Sequence, residues 1–166
     1  MTPSRAIRFL AIFLVLVSTV GCDQATKHLA RTQLSQFNST LPGGFVEFTL
    51  VENPGAFLSF GASLSESVRG GLLTVGVSLG LSFLLGYLMH TSRLDWLSFL
   101  GLALVWAGGM SNLIDRFVRH GLVTDFILLR AGPLHTGIFN LADLAIVFGL
   151  LILFTSFHMR QRSTWA

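Results

Sequence analysis

Two acidic residues in apolar surroundings are the first candidates for chemistry in this sequence. Asp143 lies in "FNLADLAIVFG", shares a helix face with Asn140, and is followed by no Lys or Arg until Arg160. Asp125 lies in "VTDF" and has apolar neighbours on both sides. A carboxylate near the centre of a membrane helix costs roughly 3 kcal/mol on insertion scales, so an acid there is functional by default. The alternative for Asp143 is a buried, protonated acid that is hydrogen-bonded to a neighbouring helix.

Together, Asp125 and Asp143 could form an acid–base site. Two carboxyl groups held close together cannot both ionise easily, so one of them keeps a proton. The ionised group can take a proton from a water that attacks an amide carbonyl, while the protonated group donates to the carbonyl oxygen. The pair therefore predicts aspartic-protease chemistry with no metal or other cofactor. The sequence contains no H-E-x-x-H, a single cysteine and only isolated histidines, which argues against a serine–histidine or zinc site.

A second cluster of polar residues lies in "GGMSNLIDRF". Asn112, Asp115 and Arg116 stand at i, i+3 and i+4, so they share one face of a helix. The planar donor fork of Arg116 beside Asn112 can hold a carbonyl or a phosphate, which indicates a binding role. The alternative is an Asp115–Arg116 ion pair that satisfies both charges and needs no substrate.

A third cluster follows the first apolar segment, in "DQATKHLARTQL". Asp23 and Lys27 stand at i and i+4 on one helix face, where they can form an ion pair. The simplest interpretation is a pair at the membrane interface that anchors the end of the helix. The segment contains no Gly or Pro, so the helix can continue beyond the lipid.

The composition indicates that these clusters belong to a membrane protein. Of the 166 residues, 52% are apolar and only 11% are charged, against roughly a quarter charged in ordinary globular proteins. The formal net charge is +3, but the 11 Lys and Arg residues are scattered singly or in pairs. This distribution lacks the basic stripe of a nucleic-acid-binding protein, so no nucleic-acid partner is expected.

Four apolar segments are nearly long enough to cross a bilayer, which takes roughly 17 to 25 residues. They lie near residues 7–21, 72–89, 94–114 and 138–157. Small residues let helices approach closely in lipid. The second segment contains a GxxxG pair, Gly76 and Gly80. The third contains Gly101, Gly108 and Gly109. The sequence predicts an α-helical membrane protein, a bundle of four transmembrane helices in a single domain that covers the whole chain.

Basic residues at the ends of the segments predict the orientation of the protein. With both termini in the cytoplasm, three short cytoplasmic pieces contain five arginines, namely Arg5, Arg8, Arg93, Arg160 and Arg162. The other six basic residues are spread over two longer external segments, and Asp95 is the one acid on the inner side. The three polar clusters therefore lie at the outer leaflet.

The first external segment, about residues 35–69, is predicted to form a small extracytoplasmic β-sheet. Residues 45–51 are rich in β-formers and are bracketed by Pro-Gly and Asn-Pro-Gly turns. Four aromatic side chains are expected to dip into the membrane interface, namely Phe45, Phe48, Phe57 and Phe60. Because glycines bound residues 43–61, this stretch is also predicted to act as a lid that brings Asn53 to a substrate.

Five motifs and four spans follow one another along almost the whole chain. The motifs are "DQATK", "NPGAF", "NLIDR", "VTDF" and "FNLAD". In this order they resemble those of lipoprotein signal peptidase, the signal peptidase II family. The resemblance implies a multi-pass enzyme of the bacterial cytoplasmic (inner) membrane. Such an enzyme removes the signal peptide from diacylglyceryl-modified prolipoproteins, just before the lipidated cysteine.

The resemblance also implies roles for individual residues and partners. The catalytic pair would be Asp125 and Asp143. Substrate binding or shaping of the site would fall to Asn53, Asn112, Arg116 and Asn140. Supporting positions would be Asp23, Lys27, Asp115 and Gly55. The expected partners are prolipoprotein substrates, membrane lipids and the family's cyclic-peptide inhibitor globomycin, and the chain is expected to be a monomer.

Two departures from the family pattern leave alternatives open. The family loop usually reads N-x-G-A-A-F, whereas "NPGAF" has Pro54 and a single Ala before Phe57, and Ser111 stands where Gly is usual. Both positions are expected on the substrate-binding side. One alternative is therefore a divergent paralogue that cleaves other lipid-anchored membrane peptides. The non-enzyme alternative is a small transporter or proton relay, although a relay should distribute ionisable groups through the membrane depth.

The stretch "LVSTVGC" raises one more possibility, that the chain is itself a lipoprotein with Cys22 as its lipidation site. Thr19 stands where an aliphatic residue is usual in such a signal, and three further spans follow with no aqueous domain. The chain is therefore predicted to process lipoproteins, with Cys22 an ordinary small residue at a helix end.

Overall fold

The structure is a computed structural model, and it describes residues 5–34, 39–56, 61, 63–91 and 94–163. Three residues for which the sequence made predictions, Phe57, Phe60 and Arg93, lie outside the described residues. The predicted lid includes residues 57–60, so it stays a prediction.

Four helices in the described part of the chain are long and apolar enough to cross a membrane. They are α1 (Arg5–Gln33), α2 (Glu66–His90), α3 (Trp96–Val118) and α4 (Leu141–Ser163). Helix α2 contains a π-helical segment, Gly70–Gly76. The predicted fold class is confirmed. One detail was wrong: α1 continues to Gln33, so Cys22 lies inside the helix and not at its end.

Helices α3 and α4 approach so closely that glycine is required at their contact. A Cβ atom on Gly108 would lie 2.5 Å from the Ala142 carbonyl oxygen, and one on Gly149 would lie 2.5 Å from the Gly101 carbonyl oxygen. These distances are shorter than any real contact, so the two backbones touch where side chains are missing. The site residues on the two helices are thereby held at a fixed separation.

The GxxxG pair predicted to pack α2 does not do so. A Cβ atom on Gly80 would meet no atom within 4 Å, and one on Gly76 would meet only the Gly71 carbonyl oxygen of the same helix. Helix α2 is instead joined to α3 through large side chains. Leu81 packs in the apolar core with Trp106, whose indole Nε1 donates to the Leu81 carbonyl oxygen at 3.0 Å.

A four-stranded antiparallel sheet covers one end of the bundle. Its strands, in order, are β1 (Ser39–Thr40), β2 (Val46–Asn53), β3 (Val123–Ala131) and β4 (Leu134–His135). The sequence predicted β2 but missed β3, which pairs with β2 so that Val51 is opposite Asp125. In this register Asn53 and Asp125 lie on the same face of the sheet, because side chains alternate along a strand.

Replacing Gly108 with Ala tests the close contact of α3 and α4. The added methyl group would force the backbones apart, so we expect Gly108→Ala to lower the free energy of unfolding by about 1–3 kcal/mol. Gly80→Ala is the matched control, since it adds the same group to open space and raises helix propensity. Thermal unfolding of both variants in the same detergent measures the difference, and equal melting temperatures would contradict the packing.

Candidate active site

The polar clusters converge where the ends of α1, α3 and α4 meet the sheet. Four acids are buried there: Asp23 is 0% exposed, Asp115 and Asp125 are each 2% exposed, and Asp143 is 6% exposed. Asp125 and Asp143 line one small cavity of ≈ 10 Å³. The cavity is also lined by Asn53, Gly55, Ala56, Asn112, Arg116 and Val123. A space of about this size has room for roughly one water molecule.

The start of helix α4 fixes the carboxylate of Asp143. Asn140 precedes the helix, and its Oδ1 accepts from the Asp143 backbone N–H at 2.9 Å. Asp143 Oδ2 in turn accepts from the Asn140 backbone N–H at 3.2 Å, which completes a reciprocal capping box. Asp143 Oδ1 accepts from Asn112 Nδ2 at 2.9 Å, across the contact between α3 and α4. Both oxygens of Asp143 thus have a donor of fixed position.

The carboxyl group of Asp125 has two amide donors. Asn53 Nδ2 donates to Asp125 Oδ2 at 2.8 Å from the end of strand β2. Asn140 Nδ2 donates to Asp125 Oδ1 at 2.7 Å. Asn140 therefore contacts both acids, with its side-chain nitrogen on Asp125 and its backbone nitrogen on Asp143. Each of the four carboxyl oxygens of Asp125 and Asp143 accepts one hydrogen bond from an amide N–H. Both carboxyl groups also line the cavity.

The orientation of each amide is set by a partner that can only donate. Asn53 Oδ1 accepts from the Gly55 N–H at 2.8 Å, and Asn140 Oδ1 accepts from the Asp143 N–H. Asn112 Oδ1 accepts from the Lys27 ammonium at 2.9 Å. Backbone N–H groups and ammonium groups have no lone pair to offer, so the amide oxygens must face them. The amide nitrogens are then left to face the two acids.

Lys27 lies at the centre of a buried ion cluster. Its Nζ is 2.7 Å from Asp23 Oδ2 and 3.0 Å from Asp115 Oδ2, and its side chain is fully buried. The predicted Asp23–Lys27 pair is confirmed, and both side chains are buried inside the protein. The alternative Asp115–Arg116 pair is absent from the described residues, because Asp115 pairs with Lys27 instead.

Asp23 joins α1 to the other two helices of the site. Its Oδ1 accepts from the Ala142 backbone N–H in the first turn of α4 at 2.9 Å. Its Oδ2 accepts from Ser111 Oγ at 2.6 Å. Ser111 is fully buried and does not line the cavity, so its expected place on the substrate-binding side was wrong. A glycine at this position could not make the bond to Asp23.

Asp115 ties the ion cluster to strand β3. Its Oδ2 accepts from the Thr124 backbone N–H at 3.1 Å, next to Asp125 in the sequence, and its Oδ1 accepts from Gln24 Nε2 at 2.9 Å. Gln24 and Thr124 were not predicted as site residues, although "DQATK" and "VTDF" contain them. Their hydrogen bonds join residues on different helices and strands, so local spacing could not predict them. Their position next to Asp23 and Asp125 in the sequence was the only signal.

Arg116 connects α3 to the turn after strand β2. Its Nη2 donates to the Gly55 carbonyl oxygen at 2.8 Å, and its Nη1 donates to the Asn112 carbonyl oxygen at 3.3 Å. The guanidinium group therefore positions the segment that carries Asn53 over the cavity. Arg116 also lines a neighbouring pocket of ≈ 370 Å³, which Pro54 lines as well.

Burial raises the pKa of Asp125 to about 7, since an ionised carboxylate is poorly solvated in this cavity. The hydrogen bond from Asn53 opposes the rise, the nearby charge of Asp143 adds to it, and the hydrogen bond from Asn140 opposes it. Among the described residues, no group of three or more His, Cys, Asp and Glu side chains is arranged to hold a metal ion. The groups present at the cavity are those of acid–base chemistry.

Fold and site together define a multi-pass membrane protein with a buried pair of carboxyl groups at one end of its helix bundle. The family described as "Signal peptidase (SPase) II" matches residues 14–159 of the chain. The protein belongs to the signal peptidase II family and is a membrane peptidase. Removal of signal peptides from lipoproteins is the activity of this family.

Several relatives named lipoprotein signal peptidase are similar over most of their length. That of Moorella thermoacetica is 42% identical over 144 residues, which cover 85% of this chain and 89% of the relative. That of Xylella fastidiosa (strain M12) is 40% identical over 155 residues, 87% of this chain and 89% of the relative. A solved bacterial membrane enzyme is similar in fold, with a TM-score of 0.77 and 24% identity, over 90% of this chain and 88% of that one.

Replacing Arg116 with Lys tests the link between α3 and the Gly55 turn. Lysine keeps the charge but has no planar fork to reach both carbonyls. We expect the kcat/KM of signal-peptide cleavage to fall about 10- to 100-fold, as for a lost hydrogen bond of a charged group. Arg119→Lys is the control, because Arg119 forms a half-exposed pair with Glu52, and it should stay within about fivefold of wild type. Equal activity of the two variants would contradict the role of the fork.

Proposed function

We propose that this protein is an aspartic endopeptidase that removes the signal peptide from diacylglyceryl-modified prolipoproteins, just before the lipidated cysteine. Asp125 and Asp143 are its catalytic pair. The observation that carries the proposal is the convergence of these two buried carboxyl groups on one cavity, with a fixed donor on each oxygen. The names of the relatives support the substrate class.

The surroundings of the two acids favour different protonation states. Asp143 lies in the first turn of α4, where the helix dipole stabilises negative charge, and Lys27 contacts the amide that donates to it. Asp125 lies on a strand, without a helix dipole, and its pKa of about 7 allows it to keep a proton at neutral pH. Asp143 is then the general base and Asp125 the general acid.

The reaction needs one water molecule between the acids and the scissile amide. Asp143 takes a proton from the water while the water oxygen attacks the carbonyl carbon, and Asp125 gives its proton to the carbonyl oxygen. A neutral tetrahedral intermediate results. Asp143 then passes its new proton to the amide nitrogen, the C–N bond breaks, and Asp125 regains a proton from a hydroxyl group as the carboxylic acid forms. Both acids return to their starting states.

The substrate would meet the cavity through the residues around it. Asn53 and Arg116 hold the Gly55 turn at its rim, Asn112 lines it, and Asn140 supports it from behind by donating to Asp125. The peptide backbone would bind across this rim, with the acyl chains in the bilayer between helices and globomycin competing for the same cleft. Pro54 lines the neighbouring pocket, so its departure from the family pattern would affect substrate range.

The proposed setting is the bacterial inner membrane, with both termini cytoplasmic, the site at the outer leaflet, and the chain a monomer. Arg8 and Arg160 support this orientation, because both lie at the end of the bundle opposite the sheet. Arg8 donates to the Thr91 and Leu94 carbonyl oxygens, and Arg160 pairs with Asp95. Basic residues at one end of the helices are expected on the cytoplasmic side.

Asp125→Asn and Asp143→Asn test the catalytic pair. An amide takes no part in proton transfer, so each variant should cleave a diacylglyceryl-modified prolipoprotein peptide at least about 1,000-fold more slowly while still folding and inserting. Glu47→Gln is the control, because it removes a partly exposed acid of the sheet that pairs with Arg130, and it should keep wild-type activity. Mass spectrometry of the products locates the cut.

The same assay run on the unmodified peptide tests the substrate class, and we expect little cleavage without the lipid. Substantial turnover by either Asn variant would contradict the assignment of Asp125 and Asp143 as the catalytic pair. Equal cleavage of modified and unmodified peptides would favour a paralogue with a wider range of membrane substrates.

The pH profile of kcat/KM tests the assignment of acid and base. The active form has Asp125 protonated, and the pKa of Asp125 is about 7. Activity should therefore fall as the pH rises through about 7, when Asp125 loses its proton, and should fall again at low pH, when Asp143 gains one. A profile measured between about pH 4 and 9 on a non-ionising substrate shows both limbs. Activity that continued to rise above about pH 8 would contradict the role of Asp125.

A further inference from the structure

We propose that Lys27 is a positioning residue of the peptidase: it acts through the side-chain amide of Asn112 to keep Asp143 in its ionised form. The inference rests on the proposed function, in which ionised Asp143 is the general base. Lys27 itself touches neither the cavity nor Asp143. The proposed route is a hydrogen-bonded chain that runs from the ammonium to the amide and from the amide to the carboxylate.

All donors of the buried ammonium are used within the site. Lys27 Nζ is 2.7 Å from Asp23 Oδ2, 3.0 Å from Asp115 Oδ2 and 2.9 Å from Asn112 Oδ1. An ammonium group has three donors and no acceptor, so this set of three acceptors is complete. Asn112 therefore has one permitted orientation, with its oxygen on Lys27 and its nitrogen 2.9 Å from Asp143 Oδ1.

The orientation of this amide decides which form of Asp143 is stable. With the nitrogen facing it, Asp143 must accept, which an ionised carboxylate does best. If the amide turned over, its oxygen would face Asp143 Oδ1 and two acceptors would meet. A proton on Asp143 would relieve that clash, and the protonated acid could no longer take a proton from water. Lys27 prevents this reversal because the Asn112 nitrogen cannot accept from an ammonium group.

A second donor to the Asn112 oxygen reinforces the same orientation. Asn140 Nδ2, which donates to Asp125, also lies 3.1 Å from Asn112 Oδ1. The Asn112 oxygen thus receives a donor from each side of the site. Lys27 is the stronger of the two, since a hydrogen bond to a charged group contributes about twice as much as a neutral one.

The charged groups that face this chain come from four elements. Helix α1 contributes Asp23 and Lys27, and α3 contributes Asp115 and Arg116. Strand β3 contributes Asp125, and α4 contributes Asp143. On strand β2, Glu52 is engaged by Arg119 and Thr124.

Loss of Lys27 alone would leave Asp23 and Asp115 buried without their cation, which would endanger folding.

The double variant Lys27→Met/Asp23→Asn avoids that difficulty. It removes one positive and one negative charge, so the net charge of the cluster is unchanged. Asparagine at position 23 can still accept from the Ala142 N–H and can donate to the Ser111 hydroxyl. Asp115 keeps its bonds from Gln24 and Thr124. Asp23→Asn alone is the matched control, because it retains Lys27 and its contact with Asn112.

The expected result is a change in the acid limb of the kcat/KM profile. In the double variant the limb should move to higher pH by about one unit, because Asp143 loses the fixed donor that favours its charge. In the Asp23→Asn control it should stay in place or move to lower pH, since a negative charge near Asp143 is removed. Melting temperatures of both variants in detergent show how far each is folded.

A purely structural Lys27 gives a different outcome. The double variant would then melt earlier, but its remaining activity would have the acid limb of the control, and this result would overturn the inference. Asn112→Ala keeps the test decisive if the double variant cannot be purified. It leaves the Asp23–Lys27–Asp115 cluster intact and removes only the amide, so the acid limb should move to higher pH in the same way. An unmoved limb in Asn112→Ala overturns the inference.

The failure of this inference can be told apart from failure of the proposed function. If the proposed function is wrong, wild-type protein does not cleave the lipidated peptide or Asp143→Asn still does. If only the inference is wrong, wild-type cleavage depends on Asp143 and the acid limb does not respond to Lys27 or Asn112.

Discussion

A buried ammonium group with three acceptors is the interaction on which the rest of the site depends. Charges cannot be left unpaired in an apolar interior, and Lys27 is satisfied only when α1 and α3 are both in place, while Asp115 also accepts from the strand after α3. Its partners extend the constraint, because Asp23 also holds the first turn of α4. A requirement of electrostatics thus becomes a requirement on the positions of three helices.

The packing of the bundle makes this arrangement possible. Gly101, Gly108 and Gly149 allow α3 and α4 to touch along their backbones, which brings Asn112 within hydrogen-bond distance of Asp143. Ordinary side chains at those positions would separate the helices by more than a hydrogen bond can span. The apolar contacts and the polar site are therefore consequences of one close approach.

Much of this arrangement could be predicted from the sequence, where the signal is local. Hydropathy identified the spans, and the i,i+4 spacing identified the Asp23–Lys27 pair. The partner of Asp115 could not be predicted, because the rotation of α1 against α3 decides whether Lys27 or Arg116 is nearer. The same limit applies to the glycines that pack helices together. Gly80 belongs to a GxxxG pair but contacts no other helix, whereas Gly149 belongs to no such pair and packs directly against α3. Strand β3 was missed because its apolar run carries no alternation.

The capping box at the start of α4 gives one amide several tasks. Asn140 begins the helix, donates to Asp125 and exchanges two bonds with Asp143. A substitution at Asn140 would remove the cap, which contributes about 1 kcal/mol, and would leave both acids short of a donor. One fully buried side chain therefore couples the start of a helix to the geometry of both acids, so a single substitution there would cost stability and acid positioning at the same time.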